Sequence, residues 1–216
     1  MNSDTGAALA AWDLKRTALL TIDLQNDFLH AEGAYGRAGQ ACDAIAALPE
    51  RIAPIVTALR EGGGTYISAQ FTLVSGPDGE PLIAPHLKKL RPFLTKGDFE
   101  PGGFGHSLVD TLAPADYTIE KIAYSALYQT RLEYIMRAAG IDNLIVGGIV
   151  TNGGVASTLR DAHLRNIHTL MLTDGCAAFD SKVHEATVLS LATVTQQMNC
   201  AQTLAWLQAQ SGANAL

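Results

Sequence analysis

The sequence predicts an α/β fold in which a parallel sheet carries helices on both faces. Three observations lead there. Short apolar runs recur along the chain, first at residues 17–22, then at 65–71 and 143–150. Segments with helical spacing separate them. The runs are almost continuously apolar instead of alternating with polar residues, as expected of strands buried on both faces. Strand and helix taking turns in this way leave the parallel sheet as the economical arrangement.

The elements follow in order. Residues 17–22 (TALLTI) form the first strand. Residues 42–61 have helical spacing, interrupted by Pro49 and Pro54, and Gly62, Gly63 and Gly64 end the helix. Residues 65–71 (TYISAQF) read as the second strand. Residues 72–104 are rich in Gly and Pro without a clean period, a long excursion of the kind that often carries function. A short helix near 106–112 leads to a third strand at 117–122 and a helix at 130–139 stopped by Gly140. The fourth strand, 143–150, runs into a helix at 153–165. A fifth strand at 168–173, a long helix at 182–198, a sixth strand near 200–203 and a helix to residue 210 complete the expectation. The whole of 1–216 is expected to be one domain, with no repeat, linker or low-complexity tract.

Composition narrows the function classes. Hydrophobic residues make up 48% and charged ones 17%, the balance of a packed globule and not of a disordered chain. A net charge of −6 and a pI near 5.4 give no basic field for nucleic acid or an anionic membrane. Lys88, Lys89 and Arg91 form one local basic cluster, read either as a solvated face or as an anion site. Three cysteines, Cys42, Cys176 and Cys200, lack metal-type spacing and leave an odd thiol, which suits a reducing cytoplasm. The first eleven residues do not read as a signal peptide, and no apolar run is long enough to span a bilayer.

Parallel sheets bind ligands beyond the carboxyl ends of their strands, where strand order reverses. That rule selects Asp23, Gln70, Lys121 and the stretch Thr151, Asn152, Gly153, Gly154. Asp23 alone reads equally well as a turn residue, and Lys121 alone as a surface lysine. Together they suggest an ion pair at the mouth of the sheet. Paired glycines at a helix start let a backbone approach a ligand and offer N–H groups to an anion. Phe28, Phe71, Phe104, Tyr124 and Tyr128 are candidates for the pocket wall. No Gly-x-Gly-x-x-Gly follows the first strand, so no dinucleotide is expected. His86 and His106 are too isolated to argue for a metal, and His30, His163, His168 and His184 read as surface or core residues.

Three segments carry a family resemblance: IDLQNDF around Asp23, EKIAYSAL around Lys121, and GGIVTNGGVASTLRDAH followed by LTDGCAAF. In this order they resemble the isochorismatase-like hydrolases, or cysteine hydrolase superfamily, over about residues 16–207. The resemblance implies a three-layer α/β/α, Rossmann-like fold with a six-stranded parallel sheet of order 3-2-1-4-5-6. It implies a homo-oligomer, a dimer or tetramer, acting on a small molecule; with Gln70, Phe71 and Thr72 after the second strand, where metal-binding members have an Asp and two His, no cofactor is expected. It places a cis peptide at Val150–Thr151 and an oxyanion site near Thr151 and Gly154. In the amidase branch an Asp and a Lys assist a cysteine that attacks an amide carbonyl. Here Asp23 and Lys121 match, and the nucleophile position is Gly154, which has no side chain.

The branch that cleaves vinyl ethers also resembles this chain in having glycine there, and it has a Gln at the end of the second strand, like Gln70. One expectation opposes that branch. A lysine beside Asp23 should hold its carboxyl below the usual range, whereas a general acid needs it raised. Three readings therefore stand. The first is an Asp-dependent hydrolase of a small organic acid without a Cys nucleophile, with Gln70, Phe28, Tyr124, Thr151 and Gly153 contacting substrate. The second is an amidohydrolase whose cysteine is replaced by Gly154. The third is a non-catalytic binding protein.

Overall fold

The computed structural model describes Leu9 and residues 11–213. Six strands form one parallel sheet in the order β3-β2-β1-β4-β5-β6. They are β1 (Thr17–Ile22), β2 (Thr65–Phe71), β3 (Tyr117–Lys121), β4 (Asn143–Ile149), β5 (His168–Ala177) and β6 (Gln196–Met198). The helices are α1 (Asn26–Leu29), α2 (Ala34–Arg37), α3 (Asp43–Ala46), α4 (Leu48–Glu61), α5 (Pro85–Leu90), α6 (Leu132–Ala139), α7 (Ala156–Leu164), α8 (Ser181–Leu191) and α9 (Cys200–Ala213).

Two cores explain the three layers. Alternation along β1 sends Leu19 to one face and Ala18, Leu20 and Ile22 to the other. Leu19, Tyr66, Ile145 and Leu170 pack beneath α4 and α9. Leu20, Ile67, Val146 and Met171 pack beneath α6 and α7. Both faces are covered, so the central strands are buried along their whole length. β1 lies between β2 and β4, and strand order turns at the β1–β4 junction. The crevice that the topology predicts therefore opens after Ile22 and Ile149. No helix among the described residues is long and apolar enough to cross a membrane.

A third, smaller cluster holds the excursion after β2. Ala34, Tyr35, Leu73, Leu94 and Phe99 are buried together. The segment after β1 pins it with side chains. Gln25 donates to the Phe71 and His106 carbonyls at 3.0 Å each and accepts from the Phe71 N–H at 2.7 Å. The Asp27 carboxylate accepts from the N–H groups of Ala34 (2.9 Å) and Phe99 (2.6 Å), and Asn26 donates to the Phe104 carbonyl at 2.9 Å. The excursion is thus a fastened surface, with α5 the one helix in it of more than a single turn.

Several expected boundaries move. Residues 106–112 hold only a 3-10 turn at Asp110–Leu112. β5 continues past Thr173 to Ala177, accommodated by a register shift between Val146 and Gly148. The expected helix at 182–198 ends at Leu191, and β6 is Gln196–Met198, not 200–203. No glycine or proline marks that break. β-branched Thr193, Val194 and Thr195 occupy it, and Thr195 accepts a 2.8 Å bond from Thr169 of β5. The cis peptide lies one bond earlier than expected, at Ile149–Val150, where β4 ends.

Candidate active site

Asp23 leaves β1 with φ +59°, a left-handed conformation that costs a non-glycine residue about 1–2 kcal/mol. Its N–H donates to the Ala69 carbonyl at 2.9 Å, so the kink is tied to β2. The neighbouring strand must come close for the kink to fit. Gly148, at φ +118°, permits this, since a Cβ there would lie 2.2 Å from the Ile22 carbonyl oxygen. The result is a carboxylate turned into the crevice at the sheet's point of reversal.

Lys121 ends β3 and is fully enclosed. Its ammonium lies 2.8 Å from Asp23 Oδ2 and donates to the Ala123 carbonyl at 3.2 Å, with the Phe71 ring 5.4 Å away. The register explains the last contact, because Phe71 pairs with Lys121 across β2 and β3. Asp23 Oδ1 is buried and has no hydrogen-bond partner. Burial, the dominant influence, pushes the Asp23 carboxyl above its ordinary value, against the pull of Lys121 and smaller pulls from the nearby Phe71 N–H, whose own hydrogen bond goes to Gln25, and from Arg91. The expectation of a lowered carboxyl is thus reversed: desolvation outweighs the ion pair.

The turn after β4 completes the site. Thr151–Val155 forms a single π-helical turn before α7, and Thr151, Gly153 and Gly154 are buried. A Cβ on Gly154 would sit 3.3 Å from Asp23 Oδ2, 2.9 Å from Ile22 Cγ2 and 3.0 Å from the Ile149 carbonyl oxygen. The position faces the carboxylate, as a nucleophile's would, but only backbone stands there. Thr158 anchors the turn by donating to the Gly154 carbonyl at 2.7 Å and accepting from the Ala126 N–H at 2.9 Å. Thr151 Oγ1 lies 2.8 Å from His184 Nδ1 on α8. The N–H groups of Gly153 and Val155 both donate to the Val150 carbonyl, at 2.9 and 3.4 Å.

The other expected residues divide. Tyr124, 45% exposed, stands at the rim, with its ring 3.8 Å from where a Gly153 Cβ would be. Phe28 and Phe71 form an aromatic wall with Phe99 and Tyr35, at centroid separations of 4.6 to 6.4 Å. Gln70 is buried at the end of β2 but forms no hydrogen bond with Asp23 or Lys121. Phe104 packs edge-on to His30 and is 54% exposed, as Tyr128 is largely exposed. Neither belongs to the aromatic wall.

Sequence reasoning missed Tyr35, the role of His184, and the reach of Arg91. Tyr35 is nearly buried and stacks on Phe179 at 5.5 Å. The Arg91 guanidinium donates to the Tyr35 hydroxyl at 2.8 Å and contacts that of Tyr124 at 3.5 Å. The basic residues at 88, 89 and 91 were the one available signal for this.

Neither buried thiol substitutes for the missing side chain. Cys176 is buried and burial drives its thiol far above the ordinary value, while Cys200 is pushed up to about 12 for the same reason. Among the described residues no cluster of His, Cys, Asp and Glu could hold a metal ion. A concavity of about 1120 Å³ lined by Asp13, Arg16, Asp142 and His168 lies at the amino ends of the strands, away from Asp23. Another of about 790 Å³, lined by Cys176, Phe179 and His184, adjoins the site through His184.

Known proteins resemble this arrangement. A family model described as Isochorismatase domain matches residues 17–203. A protein of Methylorubrum extorquens named ureidoacrylate amidohydrolase is 34% identical over 176 residues, 76% of this chain and 71% of that one. Its namesake in Acinetobacter baylyi is 31% identical over 191 residues, 83% and 78% of the two chains. Among solved structures, a cysteine hydrolase from Pseudomonas syringae superposes with TM-score 0.79 at 22% identity, covering 92% of this chain and 96% of that one. An N-carbamoylsarcosine amidase from Thermoplasma acidophilum does so with TM-score 0.67 at 23% identity, covering 86% and 96%. The last two likenesses concern the fold.

Proposed function

The chain belongs to the isochorismatase family of hydrolases, and from that premise we propose that it hydrolyses a small organic acid through Asp23, without a covalent enzyme intermediate. One observation carries the reading. A buried carboxylate with one oxygen paired to Lys121 and the other unpartnered faces a nucleophile position made only of backbone. A buried, unpaired oxygen costs about 1–3 kcal/mol until a proton, water or substrate meets it. The raised carboxyl makes Asp23 a better proton donor near neutrality than an ordinary aspartate.

Cleavage of the enol ether of an isochorismate-like acid is the most concrete form. Asp23, protonated on Oδ1, gives its proton to the terminal vinyl carbon, whose π electrons form the new C–H bond. The positive charge left behind is shared by the inner carbon and the ether oxygen. Water adds to that carbon and its proton returns to Asp23. The resulting hemiketal collapses to pyruvate and the free alcohol. Lys121 holds the carboxylate while it is ionised. Gly154 places only backbone beside Oδ2, Thr151 and Gly153 line the turn, and Gln70, Phe28 and Tyr124 bound the substrate.

A second reading is favoured by the relatives' names and by the 3.3 Å between a Gly154 Cβ and Asp23 Oδ2. It makes the chain an amidohydrolase scaffold in which the attacking group is lost and carbon–nitrogen cleavage is slow or absent. The test is pyruvate release from isochorismate by the wild type and Asp23→Asn, beside ureidoacrylate and a panel of simple amides. The first reading expects release that falls about 10²–10⁴-fold in Asp23→Asn, the usual worth of a positioned acid. Turnover of amides alone would replace it with the second. Silence across the panel would overturn the first reading, and Gly154→Cys, which gains carbon–nitrogen hydrolysis only if the second holds, then separates the second from a binding protein.

A further inference from the structure

Nine arginines occur in the chain, and only Arg60 and Arg91 are not exposed. Arg60 is matched by the Asp116 carboxylate at 2.8 Å. Arg91 has no carboxylate partner among the described residues; its two side-chain contacts are phenol hydroxyls. Burial pushes the Tyr35 hydroxyl above its ordinary value, so it remains a neutral partner. A half-buried guanidinium held only by neutral groups has an unmet demand for an anion, because buried charge is ordinarily paired.

Its placement says where that anion belongs. Tyr124 packs toward Gly153 of the catalytic turn, and Tyr35 belongs to the aromatic wall that contacts Phe71, itself beneath Lys121. Arg91 is also, after Lys121, the second cation whose charge bears on Asp23. The guanidinium is thus joined, through Tyr124 and Tyr35, to the turn and the aromatic wall that flank the Asp23–Lys121 pair. Its fixed fork suits a carboxylate, which can take two parallel N–H bonds. The tyrosine hydroxyls fix its plane.

We propose that Arg91, steadied by Tyr35 and Tyr124, binds the carboxylate of the substrate and so selects anionic acids over neutral analogues. This rests on the hydrolase reading for the word substrate, but the anion site itself does not. The Tyr35 and Tyr124 rings beside the guanidinium suit a planar acid, so benzoate and its neutral isostere benzamide are the probes, titrated calorimetrically into the whole chain. Benzoate is expected to bind the wild type at least about tenfold more tightly than benzamide, a preference worth ~1.4 kcal/mol. The preference should vanish in Arg91→Gln and survive in part in Arg91→Lys, which keeps the charge without the fork.

Equal binding of the two probes by the wild type would overturn the proposal, as would a benzoate preference undiminished in Arg91→Gln. Should Arg91→Gln not fold, Tyr124→Phe at the exposed rim gives a second readout. Benzoate should then weaken severalfold with benzamide unchanged, and no change in either would count against the site. The two levels separate cleanly. Arg91-dependent benzoate binding with no turnover on the panel defeats the hydrolase reading alone. Asp23-dependent turnover with indifferent benzoate binding defeats this one alone.

Discussion

Replacing Lys121 with methionine keeps the apolar stem and removes the ammonium that lies 2.8 Å from Asp23 Oδ2. At an effective dielectric near 20, two charges at that distance attract by about 6 kcal/mol before desolvation is subtracted. Removing one partner of a buried pair costs about 3–5 kcal/mol in practice. Asp23 can escape part of that cost by taking up a proton. Its carboxyl is already raised in the folded chain, and without Lys121 it rises further.

The sign follows from linkage. A folded state that holds a proton more tightly than the unfolded chain is favoured at low pH and loses stability as pH rises toward the folded value. Lys121→Met should therefore be destabilised by about 3–5 kcal/mol at pH 8 and by clearly less at pH 5. Urea titrations at the two pH values measure this. Lys121→Met combined with Asp23→Asn should recover most of the pH 8 loss, since no charge is then stranded. A loss equal at both pH values and untouched by the second substitution would refute the claim that stranded charge is its cause.

Two further outcomes follow from the same geometry. Gly148→Ala should lower stability by about 3 kcal/mol or more and reduce activity with it, because its Cβ would meet the Ile22 carbonyl oxygen at 2.2 Å at φ +118°; a denaturant midpoint and the pyruvate assay check both. Iodoacetamide should leave turnover unchanged within error over hours at pH 7.5, since the buried thiols of Cys176 and Cys200 are held above their ordinary range and no thiol lies at the Gly154 position; stoichiometric inactivation would contradict the mechanism.

Much of this was legible in the sequence, for physical reasons. Strands buried on both faces announce themselves as unbroken apolar runs, and β1 and β2 have the bounds those runs predict. Topology singles out Asp23, Gln70, Lys121 and Thr151 to Gly154; the structure brings Asp23, Lys121 and Gly154 together and leaves Gln70 buried without a bond to the pair. The break between α8 and β6 was harder, because nothing punctuates it. The start of α9 had a signal that was overlooked. Asn199 and Gln202 exchange side-chain-to-backbone bonds at 2.7 and 3.0 Å, a capping box readable as N-x-x-Q. The partners of Arg91 were out of reach, since Tyr35, Arg91 and Tyr124 are separated by dozens of residues and meet only through the fastened excursion. The balance on Asp23 was misjudged because a spacing reveals a neighbour's charge but not how much water the pair has lost.

The glycine at 154 also governs how the site can change. A bare backbone has let the branched methyl of Ile22 and the carbonyl of Ile149 settle to within 2.9 and 3.0 Å of where a side chain would begin. A cysteine placed there by a single substitution meets an occupied seat. The methyl belongs to a side chain and can be cleared, by leucine at position 22 for example, whereas the carbonyl can only give by a few tenths of an ångström. Passage between thiol and thiol-free chemistry is thus a two-locus path in this chain, whose first step taken alone is penalised. A library that varies position 154 by itself will undercount what the scaffold can do, and one that varies 22 and 154 together will not.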